Sequence, residues 1–331
     1  MMRRDPVARI SATARFLPDR IMTNADLEKM VDTSDAWIRE RTGIVERRIA
    51  PDEMSTTDMG ACAASRALAK AGLEASDVDL LIVTTATPDR LLPSTACEIQ
   101  ARIGASRGCP AFDLQAACTG FLYALSMAEG YVAAGRGEVV LVVSAEKMSS
   151  IIDWRDRATC ILFGDGAGAA VVQPSLNGEG ILSSFHRSDG DMADLLQRPA
   201  GGAVRPLDEE SLRDRDHMIR MSGREVFKSA VRSMAHAGTS VLREAGVDSS
   251  DVDLMVPHQA NMRIIESTAR YSGIPMEKVF VNLHRYGNIS SATIPVGLDE
   301  AAEEGLIGPG SLILTAAFGA GLTWGAMAMR W

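Results

Sequence analysis

Two stretches of this 331-residue chain read almost alike: Ser76-Asp-Val-Asp-Leu-Leu-Ile-Val83 and Ser250-Asp-Val-Asp-Leu-Met-Val-Pro257. Each is a polar loop running into a buried strand, and Leu80 and Leu254 stand 174 positions apart. The order around them repeats too. Gly137-Glu-Val-Val-Leu-Val-Val143 has a counterpart in Gly310-Ser-Leu-Ile-Leu-Thr-Ala316, and the glycine-rich segment 164–168 has one in Phe318-Gly-Ala-Gly-Leu-Thr-Trp-Gly325. A chain that repeats its own order of strand and helix signals folds as two similar α/β halves packed together. The polar stretch 174–220, with a long surface loop around Arg198 to Asp216, reads as the connection between them.

One turn in the first half carries a candidate for chemistry. Ala111-Phe-Asp-Leu-Gln-Ala-Ala-Cys118-Thr-Gly-Phe reads as strand, tight turn and buried helix, with Cys118 at the turn. A thiol at a helix N-terminus meets unpaired N–H groups and the positive end of the dipole, which favour thiolate. A free cysteine is also among the most buried residue types and can be a small hydrophobe. Cys118 lies 38 residues after Leu80, and Asn288 lies 34 after Leu254, at a turn expected to follow a strand and open a helix. If a pseudo-twofold axis relates the halves, Cys118 faces Asn288. Pro257-His258-Gln-Ala-Asn261, at the end of its strand, reaches the same place, where open α/β sheets put their sites.

Composition narrows the class. With 46% hydrophobic and 23% charged residues the chain can bury a large core, and its strongly apolar runs are of strand length, far short of a membrane span. Met1-Met-Arg-Arg-Asp-Pro is followed by no apolar export segment. Five cysteines without Cys-x-x-Cys spacing argue against zinc and disulfides and fit a reducing cytoplasm. A net charge of −9 disfavours nucleic-acid binding.

Other segments take less specific readings. Thr23-Asn-Ala-Asp reads as the cap of a helix starting at Leu27, and Trp37 and Arg41 share a helical face that suits either an adenine and phosphates or the edge of a core. Gly164-Asp-Gly166-Ala-Gly168 lacks the spacing and the following helix of a dinucleotide loop. Cys160 to Val172 reads instead as two strands joined through glycines that allow close approach. His284, before Arg285-Tyr-Gly, reads as a structural residue at a strand end.

The pieces Ala116-Ala-Cys118-Thr-Gly-Phe, Pro257-His258-Gln-Ala-Asn261, Tyr286-Gly-Asn288-Ile-Ser-Ser-Ala and Phe318-Gly-Ala-Gly-Leu-Thr-Trp, in this order, resemble the thiolase superfamily. Within it they are most similar to the bacterial β-ketoacyl-acyl-carrier-protein synthase III family. The resemblance spans essentially the whole chain. It implies a layered α/β/α/β/α fold made of two βαβαβαββ halves, here 1–178 with the cysteine and 179–331 with the histidine and asparagine. It further implies that Cys118 takes an acyl group from a short acyl-coenzyme A, and that His258 and Asn288 hydrogen-bond the thioester carbonyl of malonyl-acyl-carrier protein as carbon dioxide leaves. The backbone N–H groups of Cys118 and Ala320 would form the oxyanion hole; alanine keeps the N–H where relatives often have glycine.

By the same resemblance Trp37 and Arg157 sandwich the adenine, Arg41 meets a phosphate, and Gly223, Phe227 and Asn261 line the pantetheine tunnel. Arg263 belongs to a basic patch for the acidic carrier protein. Leu92 closes the acyl pocket of the neighbouring subunit in a homodimer, and being smaller than the common phenylalanine it leaves room for a longer or branched primer. No metal or cofactor is implied, the coenzyme A thioester being a substrate. A degradative thiolase would need a second cysteine near the C-terminus, and none follows Cys160. Elongating synthases would show a second histidine where Asn288 stands. A synthase-III-like enzyme of secondary metabolism shares this catalytic set, and a noncatalytic acyl- or carrier-binding protein would not need it.

Overall fold

The computed structural model describes residues 5–331; the reading of the first residues as carrying no export signal falls on 1–4, outside the described residues. The first sheet is built from β1 (Ala8–Phe16), β2 (Leu80–Thr84), β3 (Ala111–Leu114), β4 (Val140–Lys147) and β5 (Asp165–Pro174), in the order β1-β5-β4-β2-β3. The second is built from β6 (Gly180–Ser188), β7 (Leu254–Pro257), β8 (Leu312–Gly319) and β9 (Thr323–Arg330), in the order β7-β8-β9-β6. In the first sheet β2 runs parallel to both β4 and β3, and in the second β7 runs parallel to β8; the other neighbouring strands run antiparallel. The place that β3 holds in the first sheet is reduced in the second to one parallel bridge, Met255 with Val279.

The continuous apolar runs of β2 and β4 follow from burial on both faces. Leu80, Ile82, Val140 and Val142 turn inward, onto α4 (Gly120–Ala133) and α7 (Thr293–Glu303), which lie between the sheets. Leu81, Val83, Leu141 and Val143 turn outward, onto α2 (Thr56–Ala71) and α3 (Thr95–Ile103). The second sheet does the same, with α5 (Gly223–Ala245) and α6 (Met262–Ser272) covering its outer face. The result is five layers, α/β/α/β/α. A short helix α1 (Asp35–Thr42) stands at one end against α6.

The central helix α7 carries two buried acids, and both are paired. Asp299 accepts from Lys70 Nζ at 2.6 Å and is bonded by Arg15. Glu300 accepts from Tyr286 Oη at 2.5 Å, Asn282 Nδ2 at 2.8 Å and Arg285 at 2.9 Å, so α7 fixes the segment that leads to Asn288. Buried carboxylates are tolerated when this well bonded.

Several local expectations are corrected. The helix capped by Thr23 is one turn, Asn24–Leu27, and ends rather than starts at Leu27. Residues 165–174 form one strand, not two, and its glycines admit other neighbours: a Cβ on Gly168 would lie 2.9 Å from Pro295 Cβ on α7. Gly180–Ser188, within the supposed connection, is the edge strand of the second sheet. Asn288 follows a one-turn helix, Leu283–Tyr286, not a strand, and His284 lies on that helix.

The Gly168 contact predicts that Gly168→Ala pushes α7 off β5. Urea unfolding should show a loss of ~1–3 kcal/mol; an unchanged midpoint would mean that α7 gives way without cost.

Candidate active site

Cys118 sits in the turn Ala117–Thr119 that opens α4, at the end of β3. Ala117 takes a left-handed φ of 47°, and its N–H donates to Gln115 Oε1 at 3.1 Å. The β8–β9 turn closes over this bend. A Cβ on Gly319 would come within 2.8 Å of Cys118 N, so only glycine leaves that N–H accessible. Ala320 beside it has no left-handed backbone angle, so the alanine there is unstrained. The Thr119 hydroxyl donates to Thr323 Oγ1 at 2.8 Å and holds the two turns together.

His258 follows β7 directly; its N–H donates to Ala316 O at 2.8 Å, continuing the parallel register. Its Nδ1 is 2.7 Å from Thr293 Oγ1. Asn288 donates its backbone N–H to Leu162 O at 2.8 Å, and its Oδ1 accepts from Ser290 N at 2.8 Å, which leaves the carboxamide NH2 for a ligand. The Cys118 thiol donates to Ser290 Oγ at 3.6 Å.

The electrostatics of the site oppose one expectation. Burial pushes the Cys118 thiol up to about 12, with the Ser290 hydrogen bond working against that rise and the charge of Glu146 adding to it. Desolvation here outweighs the helix end that favours thiolate. Burial likewise pushes His258 down to about 3, so its imidazole is neutral at physiological pH.

Cys118, His258 and Asn288 line one cavity of 110 Å³ with Gly223, Phe227, Asn261 and Phe318. Cys118 also borders a second cavity of 450 Å³ with Met148, Ile151, Phe163, Leu196, Ile219 and Ala320. The thiol thus stands where two channels meet. Part of the wall of the larger one comes from the ends of the 198–216 loop, which is tied by buried Asp216 to Arg205 and Arg220. An open polar depression of 860 Å³ around Asp58, Asp89, Glu98 and Lys147 is larger but holds none of the candidate residues.

Trp37 lies under two guanidinium groups, Arg157 Cζ at 4.9 Å and Arg41 Cζ at 5.7 Å from the ring centroid, as cation–π pairs do. Asn261 caps α6 and donates to Arg41 O at 3.0 Å, which ties this aromatic surface to the mouth of the smaller cavity. Arg263 is exposed and donates to Glu40 O at 2.9 Å. Leu92 is 85% exposed and borders neither cavity of its own chain. Among the described residues no group of three or more metal-binding side chains occurs, and no helix is long and apolar enough to cross a membrane.

Sequence reading missed Ser290, Thr293 and Glu146. Glu146, on β4, is fully buried and accepts from Ser291 Oγ at 2.6 Å and Ala86 N at 2.9 Å. The available signal was the run of polar residues after Asn288 in a segment otherwise fit for a core.

A five-layered α/β/α/β/α protein made of two similar halves has the fold of the thiolase-type condensing enzymes. The chain belongs to the 3-oxoacyl-[acyl-carrier-protein] synthase III family: that family's description matches residues 112–190, and the description of its C-terminal part matches 242–331. It is 50% identical to the β-ketoacyl-[acyl-carrier-protein] synthase III of Natranaerobius thermophilus, covering 98% of this chain and 99% of that one. Among solved structures it is similar to the 3-oxoacyl-[acyl-carrier-protein] synthase III of Aquifex aeolicus, with 48% identity, a TM-score of 0.90 and coverage of 98% and 100%. It is also similar to the priming β-ketosynthase of the R1128 polyketide pathway, with 34% identity, a TM-score of 0.91 and coverage of 100% and 98%.

The raised Cys118 pKa predicts that alkylation of the resting thiol by iodoacetamide, followed by peptide mass, climbs about tenfold per pH unit from about pH 7 to 9. A plateau in that range would show a preformed thiolate.

Proposed function

We propose that this chain condenses a short acyl-coenzyme A with malonyl-acyl-carrier protein, giving 3-oxoacyl-carrier protein, coenzyme A and carbon dioxide, as the initiating step of fatty-acid synthesis. The observation that carries this reading is the convergence of Cys118, His258 and Asn288 on one buried cavity at the junction with a second. Cys118 Sγ attacks the thioester carbonyl carbon, the bond to coenzyme A sulfur breaks, and the thiol proton leaves with coenzyme A. The negative oxygen that forms is held by the N–H groups of Cys118 and Ala320.

Malonyl-carrier protein then enters, and His258 and Asn288 donate to its thioester carbonyl. Its carboxylate departs as carbon dioxide, the electron pair of that carbon–carbon bond becomes an enolate, and the enolate carbon attacks the acyl-Cys118 carbonyl. The carbon–sulfur bond breaks and the thiolate takes a proton. A neutral His258 suits a donor in a dry site, because it brings no charge to be desolvated.

The remaining residues fit the two substrates. Trp37 and Arg157 hold the adenine, Arg41 a phosphate, and Gly223, Phe227 and Asn261 line the path of the pantetheine arm. Arg263 marks the carrier-protein surface, and Arg224, Lys228 and Arg232, four residues apart and exposed on α5, extend the same sign along it. The acyl chain occupies the larger cavity. The edge strand β3 exposes Phe112, and the loop before α3 exposes Leu91 and Leu92. A homodimer formed across that edge covers all three and brings Leu92 to the partner's acyl cavity. The halves 1–178 and 179–331 each supply part of the site, the reaction needs no cofactor, and a chain with five free thiols belongs in the cytoplasm.

The test is to incubate the protein separately with acetyl-, butyryl-, isobutyryl- and octanoyl-coenzyme A and read acyl mass on the Cys118 peptide, with Cys118→Ala as control, then add malonyl-carrier protein. Acylation followed by discharge into a 3-oxoacyl-carrier product is expected. Acylation without discharge would favour the secondary-metabolism reading, which the likeness to a priming ketosynthase also favours, and no acylation by any donor would overturn the enzyme reading. Trp37→Ala should raise the KM for acyl-coenzyme A about 2- to 30-fold, the equivalent of ~0.5–2 kcal/mol, with kcat little changed.

A further inference from the structure

A neutral imidazole carries one proton on one of two nitrogens, and the choice decides whether the ring donates to a ligand or accepts from it. For His258 that choice is coupled to a single hydroxyl. Thr293 Oγ1, at the start of α7, is 2.7 Å from His258 Nδ1 and 3.1 Å from Ser290 O, and all three residues are buried. The hydroxyl has one proton to give. If it goes to Ser290 O, Oγ1 accepts from Nδ1–H, and Nε2 turns a lone pair toward the cavity. If it goes to Nδ1, the ring proton sits on Nε2 and the ring presents a donor.

We propose that Thr293 is a positioning residue whose hydroxyl donates to His258 Nδ1 and so holds the ring proton on Nε2, facing the substrate carbonyl. The same turn presets its other polar group in the same sense: Ser290 N–H occupies Asn288 Oδ1 and leaves the carboxamide NH2 as the exposed group. Residues 288–293 therefore set two donors toward one acceptor, which a carbonyl gaining negative charge requires. Burial keeps His258 neutral down to about 3, so its tautomer, not its charge, is what remains to be fixed.

This rests on the reading that His258 donates to the malonyl thioester, and the experiment separates the two. The chain has five histidines, and ¹⁵N-histidine NMR with His258→Asn as the assignment control reports the ring proton of His258 without any substrate. In the unmodified protein and in Thr293→Ser, Nε2 should show the protonated type of shift and Nδ1 the unprotonated type. In Thr293→Val, which keeps shape and loses the hydroxyl, that preference should be lost. Condensation by Thr293→Val from preformed acyl-enzyme should then fall about 10- to 100-fold in kcat, with acylation of Cys118 unchanged and serine restoring the rate.

A ring proton on Nδ1 in the unmodified protein would overturn the proposal, and so would a Thr293→Val protein that keeps the Nε2 proton and its condensation rate. Should Thr293→Val fail to fold, the spectra of the unmodified and serine proteins decide. Should the unmodified protein not condense malonyl-carrier protein at all, the functional reading fails while the spectra still judge Thr293.

Discussion

Glu146 is a carboxylate 0% exposed, and among the described residues no cation pairs with it. Such a group is costly unless hydrogen bonds replace its water. Here they come from Ala86 N, Ser291 N and the hydroxyls of Thr85, Thr87 and Ser291. Those donors belong to the end of β2 and to the turn between Asn288 and α7, one in each half of the repeat. The carboxylate thus joins the two halves where their strand ends meet, and the turn it fixes is the one that holds Ser290 against Cys118. Its burial also raises its own pKa, with the donors working against that rise.

The site built on this tie is buried, and its thiol and imidazole are both uncharged. A protonated thiol and a neutral imidazole cost little to bury, whereas a thiolate and an imidazolium would each need solvation that the cavity does not offer. Charge then appears only as bonds rearrange, where N–H groups and side-chain donors are already in place.

The repeat and the meeting of Cys118, His258 and Asn288 were legible because they rest on local signals, apolar runs, glycine turns and a cysteine between small residues, whereas the layer order came with the family resemblance. What was not legible depends on contacts far apart in the chain. Gly180–Ser188 is an edge strand with only Gly180, Ile181 and Phe185 fully buried, so its sequence looks like a polar connection. The one-turn helix before Asn288 exists because Glu300 bonds Asn282, Arg285 and Tyr286. Ser290 gains its meaning from a cysteine 172 positions away. The thiol's acidity was misread because its position at a helix end is local, while its burial comes from β8 and from the Ser290–Ala292 turn before α7.

The 198–216 loop is tied mostly to itself. Asp216 joins Arg205 and Arg220, its carbonyl accepts from Ala200 N at 2.9 Å, and Arg198 Nε donates to His217 O at 2.6 Å. Leu196, Gln197, Arg198 and Ile219, at or beside its two ends, form one wall of the larger cavity. The wall residues therefore stand at the two roots of a self-bonded loop, so a change of length or sequence within the loop reaches the chamber only through those roots, while the buried turns around Cys118 rest on other contacts.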